Sequence, residues 1–271
     1  MADDAPPPGI DARVPNPARM YNYFLGGKDN FAADREAAEK VLKVAPEAPA
    51  LARRNRAFLR RAVRHLVAEA GIRQFVDIGT GLPTEGSVHE VAHEMDPGVR
   101  VAYVDNDPVV LAHSRALLSG TAATTVTVRG DLRRPEEILA DPELRSLIDL
   151  SEPVAILLVA VVHFLTDDKP AELVARLRES VAPGSHLVLS HVTDEERAGD
   201  AREGAAVYRQ ASTGVTLRSR EQIRELFDGF HLIEPGLVPL DDWRPDDENL
   251  LARQARRHLP TWFLCGVGHA P

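Results

Sequence analysis

The sequence predicts a doubly wound, Rossmann-like α/β sandwich preceded by a helical extension. Three observations carry this expectation. Short apolar, β-branched runs alternate with helical segments from about residue 73 onward, the pattern of a parallel sheet with crossover helices. The first run, Phe75-Val76-Asp77-Ile78, ends in Gly79-Thr80-Gly81, a turn that lets the backbone approach a ligand closely. The residues before that strand carry helical signals.

Residues 1–15 are proline-rich and acidic without periodicity, and read as a disordered tail. Asn16 before Pro17 reads as an N-cap with proline at the first helical position, and the helix stops at Gly26-Gly27. A second helix is expected over Phe31–Val44. A third, Ala50–Ala70, carries Leu51, Phe58, Leu59, Val63, Leu66 and Val67 at near-helical spacing and ends at Gly71. The alternation then runs strand Arg73–Ile78, helix Thr84–Met95, strand Arg100–Val104, helix Pro108–Leu118 and strand Thr124–Arg129. A helical region over Glu136–Ile148 follows, then the apolar strand Val154–Val162, helix Lys169–Val181 and strand His186–Ser190. The end carries helix Ser219–Phe227 and strands Phe230–Val238 and Trp262–Val267. The reading is a single domain over 16–271, with the extension at 16–71 and the α/β core at 72–271.

The net charge of −9 argues against broad binding to nucleic acid or anionic membranes. One cysteine, Cys265, excludes an intrachain disulfide framework and a cysteine zinc cluster. The acidic start lacks the features of a signal peptide, and no apolar run is long enough to span a bilayer. A soluble, cytoplasmic protein is expected.

In an open parallel sheet, ligands bind beyond the carboxyl ends of the strands. Three such ends carry suggestive residues here: Asp77, Gly79, Thr80 and Gly81 after the first strand, Asp105 and Asn106 after the second, and Gly130-Asp131-Leu132 after the third. A carboxylate at 105 can accept from ribose hydroxyls, and one at 131 from an adenine amine. Asp107 reads as a helix cap. Each piece alone has a structural explanation; the set is more specific. The dinucleotide fingerprint fails, because Pro83-Thr84 stands where its third glycine belongs. Asp77 and Glu85 flank a turn with no basic residue, which suits a cationic ligand better than a pyrophosphate. S-adenosylmethionine, with its sulfonium and ammonium, is compatible.

At this point the chain resembles the class I S-adenosylmethionine-dependent methyltransferases. It is similar more closely to the actinobacterial S-adenosyl methyltransferase family, long a domain of unknown function. The most specific part is Asn16-Pro17-Ala18-Arg19-Met20-Tyr21-Asn22-Tyr23-Phe24-Leu25-Gly26-Gly27-Lys28-Asp29-Asn30-Phe31. Asp77–Gly81, Tyr103–Pro108 and Trp243-Arg244-Pro245 support it. The resemblance implies a seven-stranded, mostly parallel sheet in the order 3-2-1-4-5-7-6 with an antiparallel last strand. It implies S-adenosylmethionine as cofactor and S-adenosylhomocysteine as product. Asp77, Gly79 and Gly81 would surround the methionyl part, Asp105 the ribose, and Asp131 with Leu132 the adenine. Val159, Ala160 and His163 would lie under the methionyl part. Pro83-Thr84 departs from the class and puts the helix-start geometry in question.

Five further features bear on the function. The N-terminal segment reads either as an amphipathic helix with core aromatics or as a lid that brings Tyr23 and Asn30 over the cofactor. Gly27-Lys28 lacks the rest of a P-loop. His89-Glu90-Val91-Ala92-His93 matches a zinc-peptidase pattern, but it sits in a crossover helix without the extended motif, so no metal is expected. His163 is a base candidate, favoured as a structural or cofactor-adjacent residue. The arginines at 53, 54, 56, 60, 61 and 64 read as a solvated face, from which one could grip a carboxylate. The expected function is methyl transfer to an unidentified acceptor, by default a small molecule, through direct displacement without an assigned catalytic residue. A non-catalytic S-adenosylmethionine sensor and a nicotinamide-dependent oxidoreductase are the alternatives. The acceptor and oligomeric state are not legible.

Overall fold

Asn16 caps the first helix as expected: its Oδ1 accepts from the Ala18 N–H at 2.8 Å, and Pro17 fills the first turn. That helix, α1 (Pro17–Phe24), is followed by α2 (Ala32–Val44) and α3 (Ala48–Ala68). The computed structural model describes residues 11–121, 123–166, 169–196, 198–209, 211–246 and 262–271. Most of the expected N-terminal tail and residues 247–261, before Trp262, lie outside the described residues. Asp11–Pro15 lead directly into α1.

The core comprises β1 (Gln74–Ile78), α4 (Val88–His93), β2 (Arg100–Asp105), α5 (Pro108–Leu117), β3 (Thr125–Arg129), α6 (Pro135–Ala140), α7 (Pro142–Leu147) and β4 (Ala155–Val159). It continues with α8 (Pro170–Glu179), β5 (His186–Val192), α9 (Ala198–Tyr208), α10 (Arg220–Glu225), β6 (His231–Leu232), β7 (Val238–Pro239) and β8 (Phe263–His269). The sheet runs β3-β2-β1-β4-β5-β8-β6, with β7 also paired to β8. The five strands from β3 to β5 are parallel, and β8 is antiparallel to β5. The expected order holds, with eight strands in place of seven. The expected strand Phe230–Val238 is split into β6 and β7 around Pro235 and Gly236, the latter at φ 86°.

Successive strand residues point to opposite faces, and two cores result. Val76, Ile78, Val104 and Leu158 pack with α6, α7, α8 and α10. Phe75, Tyr103, Leu157 and Val188 pack with Phe58 and Leu66 of α3, with Val91 of α4 and with Trp243. A third cluster joins Met20, Phe24, Val41 and Leu51 of the extension to Ala201 of α9 and Trp262.

Three departures from the sequence reading shape the site. The first crossover helix starts at Val88 rather than Thr84, behind Ser87 and the Glu90 carboxylate that accepts from the Gly86 and Ser87 N–H groups. Residues 82–87 are therefore loop. β4 stops at Val159, because Ala160 turns to φ 56°. The helix α9 was not foreseen. It contains two glycines, and Gly204 packs against α2, where an added Cβ would sit 3.8 Å from Val44.

Candidate functional site

A cavity of about 810 Å³ lies at the carboxyl ends of β1–β5, between the sheet and the helices α1, α2, α3 and α9. Parallel register brings these ends together: Ile78 lies beside Val104, Asp105 beside Arg129, and Val159 beside Ser190.

The glycine turn forms one rim. Gly79 and Gly81 take φ 73° and 68°, a region disfavoured for other residues. Gly79 also faces Val161 so closely that a Cβ would lie 2.3 Å from that side chain. Asp77 is 5% exposed, and burial pushes its carboxyl up to about 6, against the opposing pull of Arg56 and a hydrogen bond with Thr80. The Asp105 carboxylate accepts from the Gly81 N–H through Oδ2 and from the Asp107 N–H through Oδ1, both at 2.9 Å. Burial raises its pKa, and those backbone bonds oppose the rise. Asp107 caps α5 by accepting from the Val109 N–H. Asn106 is exposed on the rim.

Asp131 and Leu132 line the cavity beyond β3, with Leu132 buried. Desolvation acts to raise the Asp131 pKa, but Arg133, at 2.7 Å, holds the carboxyl below its usual range. Beyond β4, Val159, Ala160 and His163 also line the space. His163 is buried with its Nδ1 unpartnered. Burial, then His191 and Arg218, push its pKa well below that of a free imidazole, so the ring is neutral at pH 7.

The N-terminal motif folds differently from the lid expectation. Tyr23 hydrogen-bonds to Glu39, and Asn30 bonds to Asn22 Oδ1 and the Gly27 carbonyl. Within residues 20–31 the lining residues are Tyr21, Asn22 and Phe24 instead. Two buried polar assemblies fix this wall. Arg19 pairs with Asp34 at 2.9 Å and with Asp107 at 3.2 Å, all three nearly inaccessible. Ala160 N–H donates to Ser190 Oγ (3.0 Å), whose hydroxyl donates to Asn55 Oδ1 (2.7 Å). Asn55 Nδ2 in turn donates to the Tyr21 hydroxyl (3.2 Å), which donates to the Ala52 carbonyl (3.0 Å). The left-handed Ala160 is thus tied to α1 and α3.

Two sequence expectations are corrected. Glu85 is exposed and is absent from the described lining. The turn does have a basic neighbour, because α3 brings Arg56 to the cavity. A signal for Arg56 existed: it follows the buried Asn55 on the stripe Ala52, Asn55, Leu59, whereas Arg53 and Arg60 are exposed. In the zinc-like motif, His89 Nδ1 bonds the Tyr103 hydroxyl at 2.7 Å and His93 Nε2 the Val99 carbonyl at 2.9 Å. Among the described residues no group of three or more His, Cys, Asp or Glu side chains could hold a metal, and no helix is long and apolar enough to cross a membrane.

Five buried side-chain atoms lack a hydrogen-bond partner among the described residues: Arg56 Nε, Thr84 Oγ1, His163 Nδ1, His186 Nδ1 and Trp243 Nε1. The first three belong to residues lining this one cavity. Buried polar groups without partners are costly, and three of the five sit in the wall of this cavity.

Comparison with known proteins agrees in overall form. A family model described as S-adenosyl methyltransferase matches residues 3–271. A DUF574 family protein of Streptomyces avermitilis MA-4680 is 39% identical with a TM-score of 0.90, covering 96% of this chain and 99% of its own. A candidate methyltransferase of Thermobifida fusca YX is 40% identical with a TM-score of 0.90, covering 98% of both chains. Human N-acetylserotonin methyltransferase, solved in complex with SAM, shares the fold at 14% identity and a TM-score of 0.50, over 94% of this chain and 63% of its own. No protein of curated description matches.

Proposed function

The chain belongs to the S-adenosyl methyltransferase family, and on that premise we propose that it transfers the methyl group of S-adenosylmethionine to a small-molecule acceptor. One observation carries the reading: Arg56, Thr84 and His163, each with a buried unpartnered atom, line a single cavity with the strand-end carboxylates Asp77 and Asp105. A ligand with charged, hydroxyl and apolar parts fits that set. Asp77 suits an ammonium. Asp105 has lone pairs left for ribose hydroxyls after its two backbone bonds. Asp131 and Leu132 suit an adenine amine and ring, with Asn106 at the rim. Gly79, Thr80 and Gly81 supply the close backbone approach, and Val159, Ala160 and His163 the floor.

The acceptor belongs beside the apolar lining residues, Phe24, Leu51, Tyr208, Leu217 and Phe263 among them. The bound cofactor supplies an electrophilic methyl group. The chain's residues hold the two reactants in line and exclude water, which by itself accounts for a large rate gain. His163 stays neutral and orients rather than carries charge. Residues 16–271 act as one domain, because the extension supplies one wall of the site.

Calorimetry with S-adenosylhomocysteine and NAD tests the cofactor, and labelled-methyl transfer into a metabolite pool tests turnover. S-adenosylhomocysteine is expected to bind and NAD not to bind. Binding of NAD alone would overturn the reading. Binding of S-adenosylhomocysteine without any methyl transfer would reduce the protein to a sensor.

A further inference from the structure

We propose that Arg56 and Thr84 form a carboxylate-binding subsite that grips the amino-acid tail of the methyl donor. The inference rests on the S-adenosylmethionine reading and deepens it. Arg56 reaches the cavity from α3, and its Nη2 donates to the Gly86 carbonyl at 3.1 Å. That bond fixes the guanidinium beside the 82–87 loop. Its Nε stays buried and unpartnered, and so does Thr84 Oγ1 from the same loop. No carboxylate lies within ion-pair distance of Arg56 among the described residues. Arg56 and Thr84 thus both line the cavity, and each keeps one donor without an acceptor.

The charge arrangement identifies the acceptor. Arg56 is the largest opposing charge on Asp77, close enough to pull that carboxyl's pKa down, yet the two do not pair. A half-buried cation and a buried anion held apart in one cavity wall match the two ends of an α-amino acid. The ammonium faces Asp77 and the carboxylate faces Arg56 and Thr84. Arginine suits this task because its planar fork fits a carboxylate. Pro83-Thr84, which departs from a glycine-rich turn, then has a use: it places a hydroxyl where a third glycine would offer none. The consequence is donor selectivity. A decarboxylated donor, which carries an aminopropyl chain, leaves Arg56 Nε and Thr84 Oγ1 unpaired.

The test measures binding of three probes by calorimetry: S-adenosylhomocysteine, its decarboxylated analogue, and 5′-methylthioadenosine, which lacks the whole amino-acid tail. Arg56→Gln is expected to weaken S-adenosylhomocysteine by about 10- to 100-fold, the range for hydrogen bonds to a charged group. The other two probes should change less than about twofold, which also reports that the variant is folded. Thr84→Val should show the same selectivity at about a fifth to a tenth of that effect. If Arg56→Gln weakens all three probes alike, or leaves S-adenosylhomocysteine unchanged, the subsite is refuted while the cofactor reading stands. If the parent protein binds none of the three, both fall.

Discussion

The cavity has two walls built by different means. The sheet wall is made of backbone: strand ends in register, Gly79 and Gly81 at positive φ, and carboxylates held by neighbouring N–H groups. The helical wall is made of side chains: the Asp34–Arg19–Asp107 triad and the Ala160–Ser190–Asn55–Tyr21 chain. The sheet wall gets its shape from one short stretch of sequence at a time. The helical wall exists only when distant segments meet: Arg19 reaches Asp107 across 88 positions and Ser190 reaches Asn55 across 135. A fold can thus keep a common ligand edge and change what covers it.

Breaking the helical wall at its most buried point should have the largest effect. Arg19→Ala leaves two inaccessible carboxylates, Asp34 and Asp107, without their cation, and should cost about 3–5 kcal/mol in denaturant unfolding. A loss under about 1 kcal/mol would mean that the two walls are not locked through Arg19.

The sheet wall should respond to pH instead. Asp77 titrates near 6 in the folded chain against an ordinary 3.8. Between those values the folded state holds a proton that the unfolded state releases. Stability at this residue is present below the lower value and is lost as pH rises through the upper one. Asp77→Asn should remove that loss, making the variant more stable than the parent at pH 7 by up to about 3 kcal/mol and equal to it near pH 3.5. The parent's affinity for S-adenosylhomocysteine should rise through the same window as the carboxylate ionises, and the variant's should stay flat. A parent affinity that is flat with pH would separate Asp77 from the ligand.

The smallest of the three effects tests the joint between the walls. Asn55→Ala removes the acceptor of the Ser190 hydroxyl and the donor to Tyr21, at about 2 kcal/mol. Amide exchange at Ala160 should quicken, since its N–H bonds to Ser190 Oγ. Unchanged exchange there would show that β4's end holds its left-handed turn unaided.

The sheet wall was legible because its causes are local. Five residues, Asp77 to Gly81, carry the strand end, the carboxylate and the two glycines, and Asp107 directly before Pro108 is a cap in any context. The helical wall was only half legible. The motif from Asn16 to Phe31 showed that something specific happens there, but not which side chains turn inward. Tyr23 and Asn30 were expected over the ligand. Tyr21 and Asn22 line the space instead, because α1 turns Tyr23 toward Glu39 of α2. The helix α9 was missed because its glycines weaken helical propensity, and its packing against α2 compensates.

By itself the sequence determined the strand order that its family resemblance implied, the glycine turn and the carboxylates at the strand ends. The order came with the resemblance, while the turn and the carboxylates follow from periodicity, turn chemistry and capping within a few residues of each other. The tertiary structure decided which arginines of α3 line the cavity, which aromatics wall it and what holds Ala160. Those depend on where α1, α3 and α9 come to rest against the sheet edge, and the burial of Arg19 and Asn55 is settled only by that packing.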